Sequence, residues 1–274
     1  HQGIKAAQQF SMIIDGKAIA NDVLASLAQE RAAAGPVTMG VLLSAGDAVA
    51  DSYVGIKARA AKRIGVEMAR IELGPDATTA EAVYAVEELV RNTHGVVVQL
   101  PLPKGIDLTP VLAALPPSHD VDALNPKPWV LPPVAAAIAE IFVRADVAAA
   151  GKRAVVVGLG RLVGAPAKAL LESLGAAVEA VTLNEGSLAS LRDADIVILG
   201  AGQPGLVEPQ MLKPGVVLID AGTSDVGGVV AGDATPDCAE VASVCTPTPG
   251  GVGPIAVAML FKNFFTLIKE KTRA

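Results

Sequence analysis

Ala154-Val155-Val156-Val157-Gly158-Leu159-Gly160-Arg161-Leu162-Val163-Gly164-Ala165-Pro166 is the stretch on which the reading of the fold turns. A short apolar run stopped by glycine suits a strand buried on both faces. The glycines allow a tight turn and let backbone N–H groups approach a pyrophosphate. Pro166 suits the first turn of a helix, whose amino end carries the positive end of the dipole. Strand, glycine-rich turn and helix together form a dinucleotide-binding arrangement, with Arg161 placed to add a cation beside phosphates. The spacing Gly158-x-Gly160-x-x-x-Gly164 is not the standard fingerprint. On these residues alone a plain strand-to-helix connection stays open.

The alternation continues on both sides. Downstream the pattern predicts helix Pro166–Leu174, strand Ala177–Thr182, a short helix around Ser187–Arg192, and strands Ile196–Leu199 and Val216–Asp220. Upstream it predicts helix Gly16–Ala34, strand Val37–Leu43, helix Asp47–Arg63, strand Val66–Leu73, helix Thr78–Asn92 and strand Val96–Leu100. Thr78 or Thr79 is placed to cap the third helix, with Glu81 in its first turn. A proline-rich stretch, Pro116–Pro133, leads to a helix over Val134–Ala145, and Pro254–Lys271 reads as one amphipathic helix. Strands alternating with helices make an α/β fold with parallel sheets. After the second strand of the nucleotide series, an acidic residue would bind ribose hydroxyls and a basic one a 2′-phosphate. Here the stretch is Thr182-Leu183-Asn184-Glu185, so Glu185 favours NAD over NADP, unless it is only a helix-terminal charge.

Composition narrows the class. The chain has 274 residues, which suits two domains or one large α/β unit. Hydrophobic residues make up 51% and charged residues 18%, the reverse of a disordered chain. A net charge of −6 argues against a nucleic-acid partner. Cys238, Cys245 and three scattered histidines do not make a zinc cage, so no metal is expected. The apolar runs are broken well short of the ~20 residues a spanning helix needs, and His1–Phe10 lacks a signal-peptide pattern. Residues 1–10 read as a tail or remnant, and the expectation is a cytoplasmic protein with no membrane partner.

Polar residues in the first half sit where chemistry would need them. Tyr53 and Lys57 are four apart and share a helix face, followed by Arg59, Lys62 and Arg63. A partly buried ammonium among like charges gives up its proton more readily, which suits acid–base work. A solvated basic face is the alternative. Gln99 ends the apolar run Val96-Val97-Val98, at the carboxyl end of a strand where ligands bind in α/β sheets; a locally satisfied amide would look the same. Asp122, in Asp120-Val121-Asp122, could hold a polar ring edge or merely shape a turn. His94 and His119 have no partner at telling spacing and read as structural. Thr246-Pro247-Thr248-Pro249-Gly250-Gly251-Val252-Gly253-Pro254 is a stiff loop that suits a ligand cleft, or a linker.

Taken in order, these motifs resemble the bifunctional methylenetetrahydrofolate dehydrogenase/methenyltetrahydrofolate cyclohydrolase family, from Met12 to about Lys269. Ile13-Ile14-Asp15-Gly16-Lys17-Ala18-Ile19-Ala20 looks like its start. Tyr53-Val54-Gly55-Ile56-Lys57 is similar to its Tyr-x-x-x-Lys. Val98-Gln99-Leu100-Pro101-Leu102-Pro103, Asp120-Val121-Asp122 and Pro249–Pro254 are similar to three further signatures. The resemblance implies two α/β domains with a cleft between them, the second of Rossmann type. The folate-binding catalytic domain would span 11–133 plus 253–274, and the NAD(P)-binding domain 134–252. Lys57 would be the acid/base group of the cyclohydrolase step, oriented by Gln99. Tyr53 would stack on the aminobenzoyl ring and Asp122 would bind the pterin. Leu100, Pro101, Gly250, Gly251 and Pro254 would complete the tetrahydrofolate site. Gly158, Gly160, Arg161, Val163, Gly164, Asn184, Glu185, Gly202 and Thr223 would bind the cofactor, NADP by family habit. A homodimer through the cofactor domains is also implied.

Departures from the family pattern bear on these roles. Ala123 stands where the family usually has Gly after Asp-Val-Asp. Only Lys127–Leu131 separates Pro126 from Pro132-Pro133, where the family carries a longer segment. Gly158-Leu159-Gly160 replaces the frequent Gly-Arg-Ser, and Thr182-Leu183-Asn184 replaces His-Ser-Arg, so groups that grip a 2′-phosphate are largely absent and NAD gains ground. A monofunctional enzyme and a non-catalytic folate- or nucleotide-binding paralogue are the competing readings.

Overall fold

The computed structural model describes residues 11–182 and 184–273, so the segment 1–10 lies outside the described residues. The first half carries β1 (Met12–Ile13), α1 (Gly16–Ala34), β2 (Thr38–Ser44), α2 (Ala48–Ile64), β3 (Glu67–Leu73), α3 (Thr79–Asn92), β4 (Gly95–Val98) and α4 (Leu108–Ala113). The second half carries α5 (Pro133–Arg144), β5 (Arg153–Val157), α6 (Gly164–Ser173), β6 (Ala177–Val181), β7 (Ile196–Leu199), β8 (Val217–Asp220), β9 (Ser224–Val226), β10 (Val229–Ala231), β11 (Val244–Cys245) and α7 (Val252–Arg273). Two compact units result. One holds residues 18–133 and 256–273; the other holds the described residues up to 17 together with 134–255.

The first unit is built on a three-stranded parallel sheet in the order β3-β2-β4. Side chains alternate across a strand, and β2 is apolar on both faces because both are covered. Met39, Val41 and Leu43 enter one core with α1, α2 and the later turns of α7. Leu42 enters the opposite core with Val96 and Val98 of β4 and Ala82, Val86 and Leu89 of α3. Asp47 starts α2 by accepting from the N–H groups of Val49 and Ala50, and Gly65, at φ +73°, ends it. Thr78 is the cap of α3, with Glu81 closing the reciprocal capping box.

By length and composition α7 could cross a membrane, with a mean hydropathy of 1.4 over its most apolar window. Its packing explains that composition. Phe261, Phe264, Phe265 and Leu267 are buried in the same core as Met39 and Val41. The sequence pattern predicts one amphipathic helix here, and Lys262 and Lys269 lie on its exposed side.

The second unit is a six-stranded parallel sheet in the order β1-β11-β8-β7-β5-β6. From β5 the chain first adds β6 on one side, then crosses to add β7 on the other. That reversal opens a crevice at the carboxyl ends of β5 and β7, where α/β sheets bind ligands. The expected domain limit at residue 11 differs from what is observed. Met12–Ile13 pairs with Val244–Cys245, with Met12 N donating to Ser243 O at 2.8 Å and Ile14 N to Cys245 O at 2.9 Å. A two-residue edge strand has no periodicity to announce it. The antiparallel pair β9–β10 is a further addition to the sequence pattern, and exposes Val226, Val229 and Val230.

Candidate active site and nucleotide pocket

In the first unit, α2 sets Tyr53 and Lys57 one turn apart, and β4 delivers Gln99. The Gln99 backbone N–H donates to Leu42 O at 2.8 Å, which continues the sheet by one residue. Its side chain is buried, and Nε2 donates to Leu100 O at 3.1 Å. That bond leaves Oε1 to accept from Lys57 Nζ at 2.8 Å. The Leu100–Pro101 peptide is cis, and Ser44 Oγ at the end of β2 donates to Pro101 O at 2.9 Å. Ser44 is thus a supporting residue that the motif reading passed over, although it too is a polar residue ending an apolar strand. Tyr53 is 46% exposed, with its ring open to a ligand.

Asp122 is half-buried and lies within electrostatic reach of Lys57. Burial pushes its carboxyl up, and the lysine charge pulls it back. Asp120 is buried and plays a different part. Its Oδ2 accepts from Asn125 N at 2.6 Å, closing the turn. Burial pushes its carboxyl up to about 6, partly offset by backbone N–H groups and reinforced by the charge of Asp122. The intervening Ala123 has φ +55°, a left-handed conformation that disfavours any residue with a Cβ. Asn263 on α7 is buried and donates from Nδ2 to both Val121 O, at 3.0 Å, and Leu131 O, at 2.8 Å. One amide group therefore clasps both ends of the shortened 121–131 loop. A lone Asn in an apolar helix was the available signal for it.

His94 and His119 take part in a separate cluster. Thr38 N donates to His94 Nδ1, and Lys271 Nζ donates to His94 O at 2.6 Å while lying 3.2 Å from His119 Nε2. Burial, then the charges of Lys271 and His94, push the His119 imidazole down to about 4.

In the second unit, a cavity of about 410 Å³ lies at the carboxyl ends of β5 and β7, lined among others by Gly158, Gly160, Thr182, Asn184 and Gly200. The glycine turn is as tight as a dinucleotide cradle requires. A Cβ on Gly158 would lie 2.6 Å from Gly200 O, and one on Gly164 would lie 1.7 Å from Gly158 O. The first turn of α6 has no side-chain cap, and Ala165 N donates to Gly160 O at 3.1 Å, so the glycine turn itself closes onto the helix start. These features fit a nicotinamide dinucleotide. Arg161 is exposed at the turn, while Val163 and Gly164 form the helix entry. Of the residues expected at the cofactor, Gly158, Gly160 and Asn184 line this cavity. The backbone of Glu185 closes a turn: Thr182 N donates to Glu185 O at 2.8 Å, and Glu185 N donates to Thr182 Oγ1 at 3.1 Å.

Two buried carboxylates, Asp220 and Asp233, stand behind this cavity, and neither was singled out from the sequence. Asp220 ends the apolar run Val217-Leu218-Ile219, the same signal that marks Gln99; Asp233 has no such pattern. Asp220 Oδ1 accepts from Gly222 N at 3.0 Å and Oδ2 from Ala234 N at 2.9 Å, and burial, reinforced by Asp233, pushes its carboxyl up to about 6. The closing loop is tied to the same residue. Asp220 N donates to Thr246 Oγ1 at 2.7 Å, and Thr248 Oγ1 donates to Asp220 O at 3.3 Å. Gly250, Gly251 and Pro254 therefore belong to this second unit, whereas Lys57, Gln99, Tyr53 and Asp122 belong to the first.

The catalytic-domain profile of the tetrahydrofolate dehydrogenase/cyclohydrolase family matches residues 14–122, and the NAD(P)-binding-domain profile matches residues 132–272. The chain is 36% identical over 276 residues to the bifunctional protein FolD of Macrococcus caseolyticus, covering 94% of this chain and 97% of that one. It is 35% identical to the Staphylococcus aureus FolD, covering 95% and 97%. The structure is similar to that of the Trypanosoma brucei N5,N10-methylenetetrahydrofolate dehydrogenase-cyclohydrolase complexed with NADP cofactor and inhibitor. That match has a TM-score of 0.89 and 34% identity, over 96% of this chain and 99% of that one.

Proposed function

Because the chain belongs to the tetrahydrofolate dehydrogenase/cyclohydrolase family, we propose a division of labour among its residues for the two reactions. The enzyme oxidises 5,10-methylenetetrahydrofolate to 5,10-methenyltetrahydrofolate, then hydrolyses that product to 10-formyltetrahydrofolate. When bound, the nicotinamide cofactor supplies the hydride acceptor. Everything else is binding, orientation and proton movement by side chains.

Lys57 is the acid/base group of the hydrolytic step. Water adds to the methenyl carbon, a proton leaves that water, and the carbon–N5 bond breaks as N5 gains a proton. Lys57 Nζ moves these protons. The observation that carries this reading is the 2.8 Å bond from Nζ to Gln99 Oε1, with Gln99 itself oriented through Leu100 O. A fixed Nζ keeps one direction for proton transfer instead of sampling many rotamers. Asp122 holds the polar edge of the pterin and Tyr53 covers the aminobenzoyl ring. Leu100 and Pro101 contribute from the strand end.

NADP is the cofactor this reading assigns. Thr182 and Asn184 bring hydrogen-bonding groups but no cation to the ribose end of the cavity, which supports use of NAD as well. The valines on β9–β10 support a homodimer formed through the second unit. The burial of the apolar side of α7 in its own core supports a cytoplasmic rather than membrane location.

The test is a parallel assay of methylenetetrahydrofolate with NADP and with NAD, following reduced nicotinamide and the methenyl band separately. Reduced cofactor without lasting methenyl absorbance is expected. Lasting methenyl absorbance would leave a dehydrogenase alone, and silence with both cofactors would overturn the reading.

A further inference from the structure

Asp233 is fully buried, and the reactions above give it no role. Its carboxylate nonetheless gathers three backbone donors from one short loop. Ala201 N donates to Oδ2 at 2.7 Å, Gly202 N to Oδ2 at 3.2 Å and Gln203 N to Oδ1 at 2.7 Å. That loop follows β7 directly, and Ala201 and Gln203 line the cofactor cavity.

The surroundings leave the carboxylate one place to be. A Cβ on Gly222 would lie 2.2 Å from its Cγ, so only glycine admits it there. Asp220 fixes the backbone on both sides, accepting from Gly222 N and from Ala234 N next to Asp233. Hydrogen bonds to an ionised acceptor are roughly twice as strong as neutral ones. A carboxylate can also face three converging donors, which a carboxamide cannot, because half of its head is itself a donor.

We propose that Asp233 is a positioning residue for cofactor binding: it sets the course of the 201–203 loop and through it one wall of the nicotinamide dinucleotide cavity. This rests on the reading of that cavity as the NAD(P) site. Asp233 touches the loop and not the reacting atoms, so its effect is on cofactor affinity.

The experiment uses the full-length enzyme and Asp233→Asn. Calorimetric titration with NADP is combined with hydrogen exchange of the cofactor-free proteins and steady-state kinetics. In the variant, the Kd and the KM for NADP are expected to rise about tenfold, since a backbone N–H then faces an NH₂ group. Dehydrogenase kcat at saturating cofactor is expected to stay within about twofold, as for lost uniform binding. Methenyl hydrolysis, which consumes no nicotinamide, serves as the folding control. Exchange at Ala201, Gly202 and Gln203 is expected to quicken. A variant with a lower thermal midpoint but unchanged Kd and KM would assign Asp233 to stability alone and overturn the proposal. If the variant does not fold, the wild-type protein decides: those three amides must be as protected as β7, and free exchange would overturn the proposal. A wild-type protein that binds neither NADP nor NAD would instead overturn the reading of the cavity.

Discussion

Lys57 and Gln99 are 42 positions apart in the chain, yet Nζ and Oε1 meet at 2.8 Å. Lys57 sits in the third turn of α2, and Gln99 directly follows β4. General acid–base catalysis contributes about 10²- to 10⁴-fold. Lys57→Gln is therefore expected to slow methenyl hydrolysis by at least about a hundredfold, while the dehydrogenase step continues and the methenyl band accumulates. Hydrolysis at the wild-type rate in that variant would remove Lys57 from the mechanism.

Burial pushes the Asp122 carboxyl up and the nearby Lys57 charge pulls it back; among the described residues no hydrogen bond fixes it. Asp122→Ala is expected to weaken folate binding about tenfold through loss of a buried hydrogen-bonding group. Titration with tetrahydrofolate in the absence of cofactor measures this directly. An unchanged Kd would mean that the pterin binds elsewhere.

Ala123 carries φ +55° beside Asp122. A Cβ in that region costs about 1–2 kcal/mol, against which glycine loses about 0.4–1 kcal/mol through the freer unfolded chain. Ala123→Gly is expected to stabilise the protein by about 0.5–1 kcal/mol. Chemical denaturation at neutral pH would register this as a higher midpoint. A lower midpoint would show that the unfolded-state entropy outweighs the local strain.

Stability between pH 4 and 6.5 is set by opposing groups. Asp120 and Asp220 titrate at about 6 when folded against a usual 3.8, mainly through burial. They keep protons that the unfolded chain releases, so their contribution is present at low pH and is lost as pH rises through about 6. His119 titrates at about 4 against a usual 6.5, through burial and then the charges of Lys271 and His94. The unfolded chain takes up its proton first, so the His119 contribution is lost as pH falls from 6.5 towards 4. His119→Gln keeps an acceptor near Lys271 and removes the titration. Its stability at pH 4.5 relative to pH 7.5 is expected to exceed that of wild type. Parallel pH profiles for the two proteins would contradict this account.

The β9–β10 ribbon exposes three valines and offers unpaired strand edges. If the proposed homodimer forms through this ribbon, replacement of Val229, the most exposed of the three, by Lys is expected to shift it from dimer to monomer in light scattering. A dimer that persists unchanged would move the interface off this ribbon.

Much of this was legible in the chain because long apolar runs and capping residues act locally. β7 spans Ile196–Leu199 as expected, and Thr78 caps α3 with Glu81. Gln99 stood out because a polar residue closing a buried strand has few places to point. The rest depends on distant partners. β1 is a strand only because Ser243 and Cys245 accept its N–H groups. Asp233 matters through a loop about thirty residues earlier, and Asn263 through carbonyls more than a hundred residues earlier. Ala123 could be seen as a departure from a family pattern, but its left-handed backbone could not.

Three of the largest side chains in the first unit's core arrive on α7, after nearly all of the second unit has been made. Synthesis runs from the amino end, and units ordinarily fold as they emerge. Here the order inverts. The nucleotide unit can complete its sheet once β11 leaves the ribosome, because β1 is already waiting at the edge. The catalytic unit must hold Met39, Val41 and Leu43 only partly covered, by α1 and α2, until Phe261, Phe264 and Phe265 appear. For most of translation, then, the catalytic half is the half a chaperone would have to guard.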